Sequence, residues 1–195
     1  MARRYRLTAR LEESALAELY KGVVDGPGGQ EVLVKLHAPR TSDPAFGRAL
    51  AEINARTMSL GHPGVQGYVE VGMVKDRIAA VRPFVDGFNL GDALRRLASK
   101  EVVLPPALAL YIVAEAAQAV AAAHAQNWIH GALTPGNILL GKDGRVRVVD
   151  FGVLTAMNAS EPLRALASKG RHAYRAPEMK SPGSGSTSAD VYSLG

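Results

Sequence analysis

The sequence contains no cysteine, so it can form neither a disulfide nor a thiolate metal site. This absence is consistent with a reducing compartment, and we expect a cytoplasmic protein. A long uninterrupted apolar run is also missing, because the most apolar stretch, residues 107–125, is mostly alanine and contains Glu115 and Gln118. The formal net charge is +5, but Lys and Arg are scattered rather than clustered. We therefore expect no membrane segment in this stretch and no nucleic acid among the partners.

What the sequence does contain is typical of a folded globular chain. It has 195 residues, of which 47% are hydrophobic and 21% charged, which suffices for one domain or slightly more. Apolar residues and turn signals predict strands at 5–12, 19–24, 31–37, 65–74 and 77–81. Between the third and fourth of these, apolar spacings of three and four predict a helix that begins near Pro44 and ends at Gly61.

The second half of the sequence has a helical character. After a connector at residues 83–91, a long helix is predicted from the prolines at 105 and 106 to about 125, followed by short strands at 138–140 and 145–149. Little periodicity is visible at 153–175, which predicts a long loop, and a further helix is predicted to begin at 190. A cleft between the strand-rich and helix-rich parts would be the default ligand site.

Short motifs occur in a fixed order along nearly the whole chain: Val32-Leu33-Val34-Lys35, His130 to Asn137, Asp150-Phe151-Gly152, Ala176-Pro177-Glu178 and Asp190 to Gly195. In this order and spacing they resemble the motifs of eukaryotic-like bacterial Ser/Thr protein kinases. The resemblance implies an α+β, bilobal protein-kinase-like fold. Its parts would be an antiparallel-sheet N-lobe at residues 1–82, a hinge at 83–91 and a truncated helical C-lobe at 92–195.

The resemblance also implies a nucleotide site. In the family the lysine at the position of Lys35 holds phosphates and forms an ion pair with a helical glutamate, which is Glu52 here. Asn137 and Asp150 stand at the Mg²⁺-binding positions, and Val85 lies in the hinge. These five residues are the cofactor-binding candidates, and Asn137 and Asp150 bind metal only if a Mg-nucleotide binds.

Two departures from the family pattern fall in the catalytic loop. Ala132 occupies the position of the catalytic aspartate, and a methyl group can neither accept a proton nor orient a hydroxyl. General-base assistance is worth about 10²–10⁴ in rate. Thr134 occupies the position of a lysine that lies near the transferred phosphate in the family. We therefore expect no intact catalytic residue.

The phosphate-covering loop is altered as well. Alignment on the family pattern places Glu12, Ser14 and Ala17 at its three glycine positions. Glycine there lets backbone N–H groups approach phosphate closely. The carboxylate of Glu12 would instead repel phosphate.

The predicted adenine pocket also departs from the family. Leu33 replaces a smaller alanine, and Arg82 occupies the gatekeeper position. An arginine facing this pocket needs a partner or access to water, and Glu52 is one hypothesis for that partner.

These departures predict a pseudokinase that serves as a signalling scaffold or allosteric regulator by binding proteins, such as an active kinase or another signalling protein. No cofactor is expected to be required, although weak binding of ATP with Mg²⁺ stays open. The alternatives are a weak or atypical ATP-dependent Ser/Thr kinase, another nucleotide-dependent transferase, or an ATP sensor without turnover. Because the family's second lobe continues past the position of Gly195, we expect this sequence to be a piece of a longer chain.

Overall fold

The computed structural model describes residues 4–167, 172–180 and 185–195. Within these residues the strands are β1 (Tyr5–Glu13), β2 (Ala17–Val24), β3 (Glu31–His37), β4 (Val65–Gln66), β5 (Glu70–Val74), β6 (Arg77–Pro83), β7 (Gly87–Asn89), β8 (Ile138–Gly141) and β9 (Val146–Val149). The α-helices are α1 (Pro44–Ser59), α2 (Leu90–Ser99), α3 (Pro106–His124), α4 (Val153–Asn158), α5 (Glu161–Ala167) and α6 (Thr187–Leu194).

The N-terminal lobe is an antiparallel sheet in the order β1-β2-β3-β6-β5. Successive side chains of a strand point to opposite faces, and β3 uses this alternation fully. Val32 and Val34 are buried on one face with Val81 of β6. Leu33 and Lys35 consequently point to the other face, where both line a cleft.

Helix α1 forms where the sequence predicts it. The Asp43 side chain caps its first turn by accepting hydrogen bonds from the backbone N–H groups of Ala45 and Phe46 at 2.9 and 3.2 Å. The apolar spacing buries one face of the helix at Phe46, Leu50 and Ile53.

The single strand predicted at residues 65–74 is wrong. Two strands stand there: β4 pairs in parallel with β9, in a second sheet of order β4-β9-β8-β7, whereas β5 pairs with β6. The chain turns between them because Asn54 of α1 binds the backbone of Tyr68 twice. Its side-chain amide donates to the Tyr68 carbonyl at 2.5 Å and accepts from the Tyr68 N–H at 2.6 Å.

The long loop predicted at residues 153–175 is also wrong. Helices α4 and α5 occupy most of this segment, and a short 3₁₀ turn at His172–Tyr174 follows. Both helices are too short to be stable alone or to show a periodic pattern. Tertiary packing fixes them, because Ala156 of α4 and Leu163 of α5 are fully buried. The connector at 83–91 likewise contains β7 and the start of α2.

One hydrophobic cluster joins the two lobes. It runs from Phe46 and Leu50 of α1 to Ile112, Ala116 and Val120 of α3. Within the described ranges, α3 is the one helix long and apolar enough to cross a membrane, with a mean hydropathy of 1.5, a test that core helices of soluble folds also pass. The expectation of no membrane segment stays a prediction.

His37, at the end of β3, makes the protein sensitive to acid. Its ring is buried edge-on against Phe46, at 5.0 Å between centroids, and its Nε2 has no hydrogen-bond partner among the described residues. Burial, followed by the positive charge of Lys35, lowers the pKa of His37 from 6.5 to about 3. The folded state therefore keeps the ring neutral while the unfolded state takes up a proton below pH 6.5.

We expect the free energy of unfolding to fall between pH 6.5 and 3 by roughly 1 kcal/mol per pH unit on account of His37. Urea denaturation of the wild type and of His37→Leu at a series of pH values measures this slope. The variant should have the shallower slope, and equal slopes in the two proteins would rule out His37 as the cause.

Candidate functional site

A cleft of about 560 Å³ lies between the N-terminal sheet and strands β8 and β9. Four of the predicted cofactor-binding residues line it, namely Lys35, Val85, Asn137 and Asp150. The fifth, Glu52, does not, because its side chain is exposed on α1. The cleft therefore exists where the sequence predicts it, with one predicted member outside it.

The predicted Lys35–Glu52 ion pair is not formed. Lys35 Nζ instead contacts Asp150 Oδ2 at 2.8 Å, and the other carboxylate oxygen of Asp150 accepts a 2.5 Å hydrogen bond from the Tyr68 hydroxyl. Burial alone would raise the pKa of Asp150, but the charges of Lys35 and Arg82 and the two hydrogen bonds outweigh it and hold this pKa well below 3.8. Burial and the neighbouring Asp150 raise the pKa of Tyr68, so its hydroxyl keeps its proton and donates. Both oxygens of Asp150 thus have protein partners.

Close packing at Gly152 explains why Glu52 lies outside. Gly152 has a φ of +66°, and a Cβ built on it would lie 2.7 Å from Ile53 Cγ2 and 2.8 Å from Trp128 Cζ2. Only glycine allows this approach of the Asp150-Phe151-Gly152 segment to α1. Helix α4, which begins directly after Gly152, also packs on α1. In this arrangement α1 turns Ile53 toward the segment and leaves Glu52 in solvent.

Arg82 lines the cleft, as predicted. The hypothesis that Glu52 is its partner is wrong. The guanidinium donates to Gln66 Oε1 at 3.1 Å, and the Gln66 amide donates in turn to the Pro83 carbonyl at 3.2 Å. Arg82 is only 9% exposed, so a buried cation stands at the gatekeeper position. It occupies space there and contributes positive charge near Asp150.

The turn between β1 and β2 binds its own backbone. The hydroxyl of Ser14 accepts hydrogen bonds from the N–H groups of Leu16 and Ala17 at 3.3 and 3.1 Å. The Leu16 carbonyl accepts from the Thr41 hydroxyl at 2.9 Å, and Arg40 binds the Ala15 carbonyl. Two backbone donors of this turn, the N–H groups of Leu16 and Ala17, are therefore already used and are not free for phosphate.

The catalytic loop carries the second set of candidates. Ala132 faces a cavity of about 110 Å³ shared with Lys35 and Asp150. The hydroxyl of Thr134 donates to Asn137 Oδ1 at 2.9 Å, so the oxygen expected to bind metal is already hydrogen-bonded. Asn137 is 3% exposed. The substitution at Thr134 thus changes the environment of Asn137 as well as removing a cation.

Asp190 is a residue whose role sequence reasoning missed. Its carboxylate is fully buried and accepts from the backbone N–H groups of His130 at 2.7 Å and Gly131 at 2.8 Å, and it lies 2.9 Å from His124 Nε2. His130 is structural: its Nε2 lies 2.9 Å from the Val149 carbonyl. The signal available in the sequence was an aspartate in the first turn of a helix, after a serine cap. Acidic residues at that position usually stabilise their own helix through its dipole, so the pattern did not indicate a contact with the catalytic loop.

Comparison with known proteins now fits this geometry. The family model described as "Protein kinase domain" matches residues 15–195. The chain belongs to the protein kinase family. The predicted bilobal kinase fold is confirmed by comparison with a crystal structure of the Mycobacterium tuberculosis PknI kinase domain. The two structures are similar with a TM-score of 0.74 and 25% sequence identity, over 97% of this chain and 70% of the PknI chain.

Curated relatives of this kinase domain include bacterial Ser/Thr kinases. The DNA damage-responsive serine/threonine-protein kinase RqkA of Deinococcus radiodurans is 34% identical over 100% of this chain and 29% of its own length. The serine/threonine-protein kinase PknA of M. tuberculosis is 32% identical over 98% of this chain and 45% of its own length. The chain thus spans less than half the length of either relative.

The residues of this kinase domain that would hold a Mg-nucleotide already have protein partners. Asp150 is engaged by Lys35 and Tyr68, and the oxygen of Asn137 is engaged by Thr134. Binding would require Asp150 to exchange partners.

Proposed function

We propose that this protein kinase domain is catalytically inactive and acts as a signalling scaffold or allosteric regulator by binding other proteins. The observation that carries the proposal is Ala132 at the position of the catalytic base, because its methyl group cannot take the proton of an attacking hydroxyl. The partner we propose is an active kinase or another signalling protein, and the compartment is the cytoplasm.

Three further features support inactivity independently of Ala132. The metal-binding candidates have protein partners, the turn after β1 uses its own donors, and Arg82 stands in the adenine pocket. Each would have to change before phosphoryl transfer could occur. These features concern metal binding, phosphate binding and adenine binding separately, so reversing one of them should not restore phosphoryl transfer.

A second candidate is an ATP sensor without turnover. It is favoured by the retention of Lys35, Asn137 and Asp150 around a cleft of about 560 Å³, which falls within the usual range of ligand sites. For this candidate Asp150 would leave Lys35 when nucleotide and Mg²⁺ arrive. An atypical kinase remains the alternative that the activity assay below excludes or establishes.

We expect no phosphate transfer from labelled ATP to the protein itself or to a general protein substrate, in the wild type and equally in Ala132→Asp. The physical reason is that Ala132→Asp would restore only the general base and would leave the other departures from the family pattern in place. The same protein with Lys35→Ala gives the background. Transfer by the wild type that Lys35→Ala abolishes would overturn the proposal. A hundredfold gain on Ala132→Asp would instead show that Ala132 alone accounts for the inactivity and that the other departures do not.

A thermal-shift titration separates the scaffold from the sensor. Ligand that binds only the folded state raises the unfolding temperature, so a shift at millimolar ATP that requires Mg²⁺ would establish the sensor. We expect no such shift in the wild type. The variant Arg82→Met, which removes the buried cation, should bind nucleotide more tightly, and an unchanged affinity would show that Arg82 does not block the site.

A further inference from the structure

A second concave surface lies on the C-terminal lobe and meets the cleft at Phe88. It is bounded by α2, the first turns of α3 and the hairpin of β7 and β8, and it has a volume of about 570 Å³. We refer to it as the α2–α3 groove. Its lining is mostly apolar, and its larger apolar side chains include Phe88, Leu97, Leu108 and Tyr111.

The α2–α3 groove presents large apolar side chains to solvent. Phe88, Leu108 and Tyr111 are each close to half exposed, and Val103 beside the groove is 84% exposed. The Tyr111 hydroxyl donates to the Gly144 carbonyl at 2.9 Å, which ties α3 to the β8–β9 turn. Contiguous exposed apolar surface in a concave site is typical of a surface that binds something.

The charge of the groove is one-sided. Among the residues that the structure describes, three cations line it, namely Arg96, Lys100 and Arg145, and no carboxylate does. The Arg96 guanidinium lies over the Phe88 ring at 5.0 Å, so it stands directly above the apolar floor.

The carboxylates near the groove do little to offset these cations. Asp143, in the turn after β8, is bound by Arg147 at 2.5 Å. Glu101 lies next to Lys100 in the sequence and is exposed, outside the lining. The rim therefore keeps an excess of positive charge that favours an anionic occupant.

We propose that the α2–α3 groove binds an acidic, amphipathic segment of a partner protein. Apolar side chains of that segment fill the floor around Leu97 and Leu108, and its Asp or Glu residues face Arg96, Lys100 and Arg145. The mode is that of peptide recognition in a groove, with anchors from the floor and orientation from the charged rim. The proposal rests on the protein-binding role proposed above. It does not depend on the absence of phosphoryl transfer, because neither Lys35 nor Asp150 lines the groove.

The test uses the 195-residue chain and three fluorescein-labelled synthetic peptides of equal length. The first has Leu at helical spacings of three and four with Glu between them, the second has Lys in place of Glu, and the third has Ser in place of Leu. We expect the first to bind in fluorescence anisotropy at micromolar concentration, as is usual for a small interface. We expect at least tenfold weaker binding of the other two.

Variants then locate the site. Charge reversal at the rim, Arg96→Glu with Arg145→Glu, should weaken binding of the first peptide about tenfold, and Leu108→Asp should weaken it comparably. The matched control, Arg6→Glu with Arg48→Glu, makes the same change of net charge at exposed positions on β1 and α1. It should leave the affinity unchanged. Unaltered unfolding temperatures would show that the variants remain folded.

Each other outcome overturns the proposal. These outcomes are no binding of the first peptide, equal binding of the Lys peptide, or equal loss in the rim variant and its control. Vesicles containing phosphatidylserine provide a further arm. If they bind the wild type but not the rim variant while no peptide binds, the groove contacts an anionic membrane surface instead. The phosphate-transfer assay is read separately, so failure of the groove leaves the proposal of inactivity standing.

Discussion

Replacing Asp190 by alanine should lower the free energy of unfolding by about 3 kcal/mol, because each buried N–H left without an acceptor costs about 1–3 kcal/mol. Two such groups, the backbone N–H groups of His130 and Gly131, depend on this carboxylate. His124 would lose its contact as well. The effect is measured by urea denaturation near pH 7, where His37 is neutral in both states.

A matched substitution shows whether burial is the cause. Asp143→Ala removes a carboxylate whose ion pair with Arg147 lies at the surface, where such pairs are worth about 0–1 kcal/mol. We expect the Asp190 variant to lose at least twice as much stability as this control. Equal losses would mean that the hydrogen bonds of Asp190 to the catalytic loop contribute little.

Most of the fold could be predicted because its elements carry their own signals. Strand β3 has a short apolar run, Val32 to Val34, and α1 has an aspartate cap and four buried apolar or small residues at helical spacing. The errors lie where tertiary contacts decide. Tyr68 is turned inward by Asn54, a residue from another element, and α4 is stable only because it packs on α1.

Four of the five predicted members of the candidate site line the cleft, but the contacts among them were not predictable from the sequence. The order of the motifs predicts that Lys35, Asn137 and Asp150 lie in one cleft, and they do. The alanine at position 132 can be recognised from the sequence motif alone. Which carboxylate Lys35 binds depends on how far α1 lies from β3, and no local pattern encodes that distance. The role of Tyr68 was missed for the same reason, since its bond to Asp150 joins residues distant in sequence.

The partner of Lys35 is therefore the point at which the structure differs most from the sequence prediction, and a double-mutant cycle decides it. We expect Lys35→Met to lower the free energy of unfolding by about 2 kcal/mol, below the 3–5 kcal/mol of a fully buried pair because both side chains are about one-fifth exposed. The coupling free energy between Lys35→Met and Asp150→Asn should be about 1–2 kcal/mol, as for residues in direct contact.

The parallel cycle with Glu52→Gln is the control for this result. Because Glu52 is exposed and Lys35 binds Asp150, we expect this coupling to be close to zero and Glu52→Gln alone to change stability by less than about 0.5 kcal/mol. A Lys35–Glu52 coupling larger than the Lys35–Asp150 coupling would contradict the arrangement described here. It would mean that α1 lies closer to the cleft in solution, with Asp150 released to bind metal, and it would therefore also weaken the case for an inactive domain.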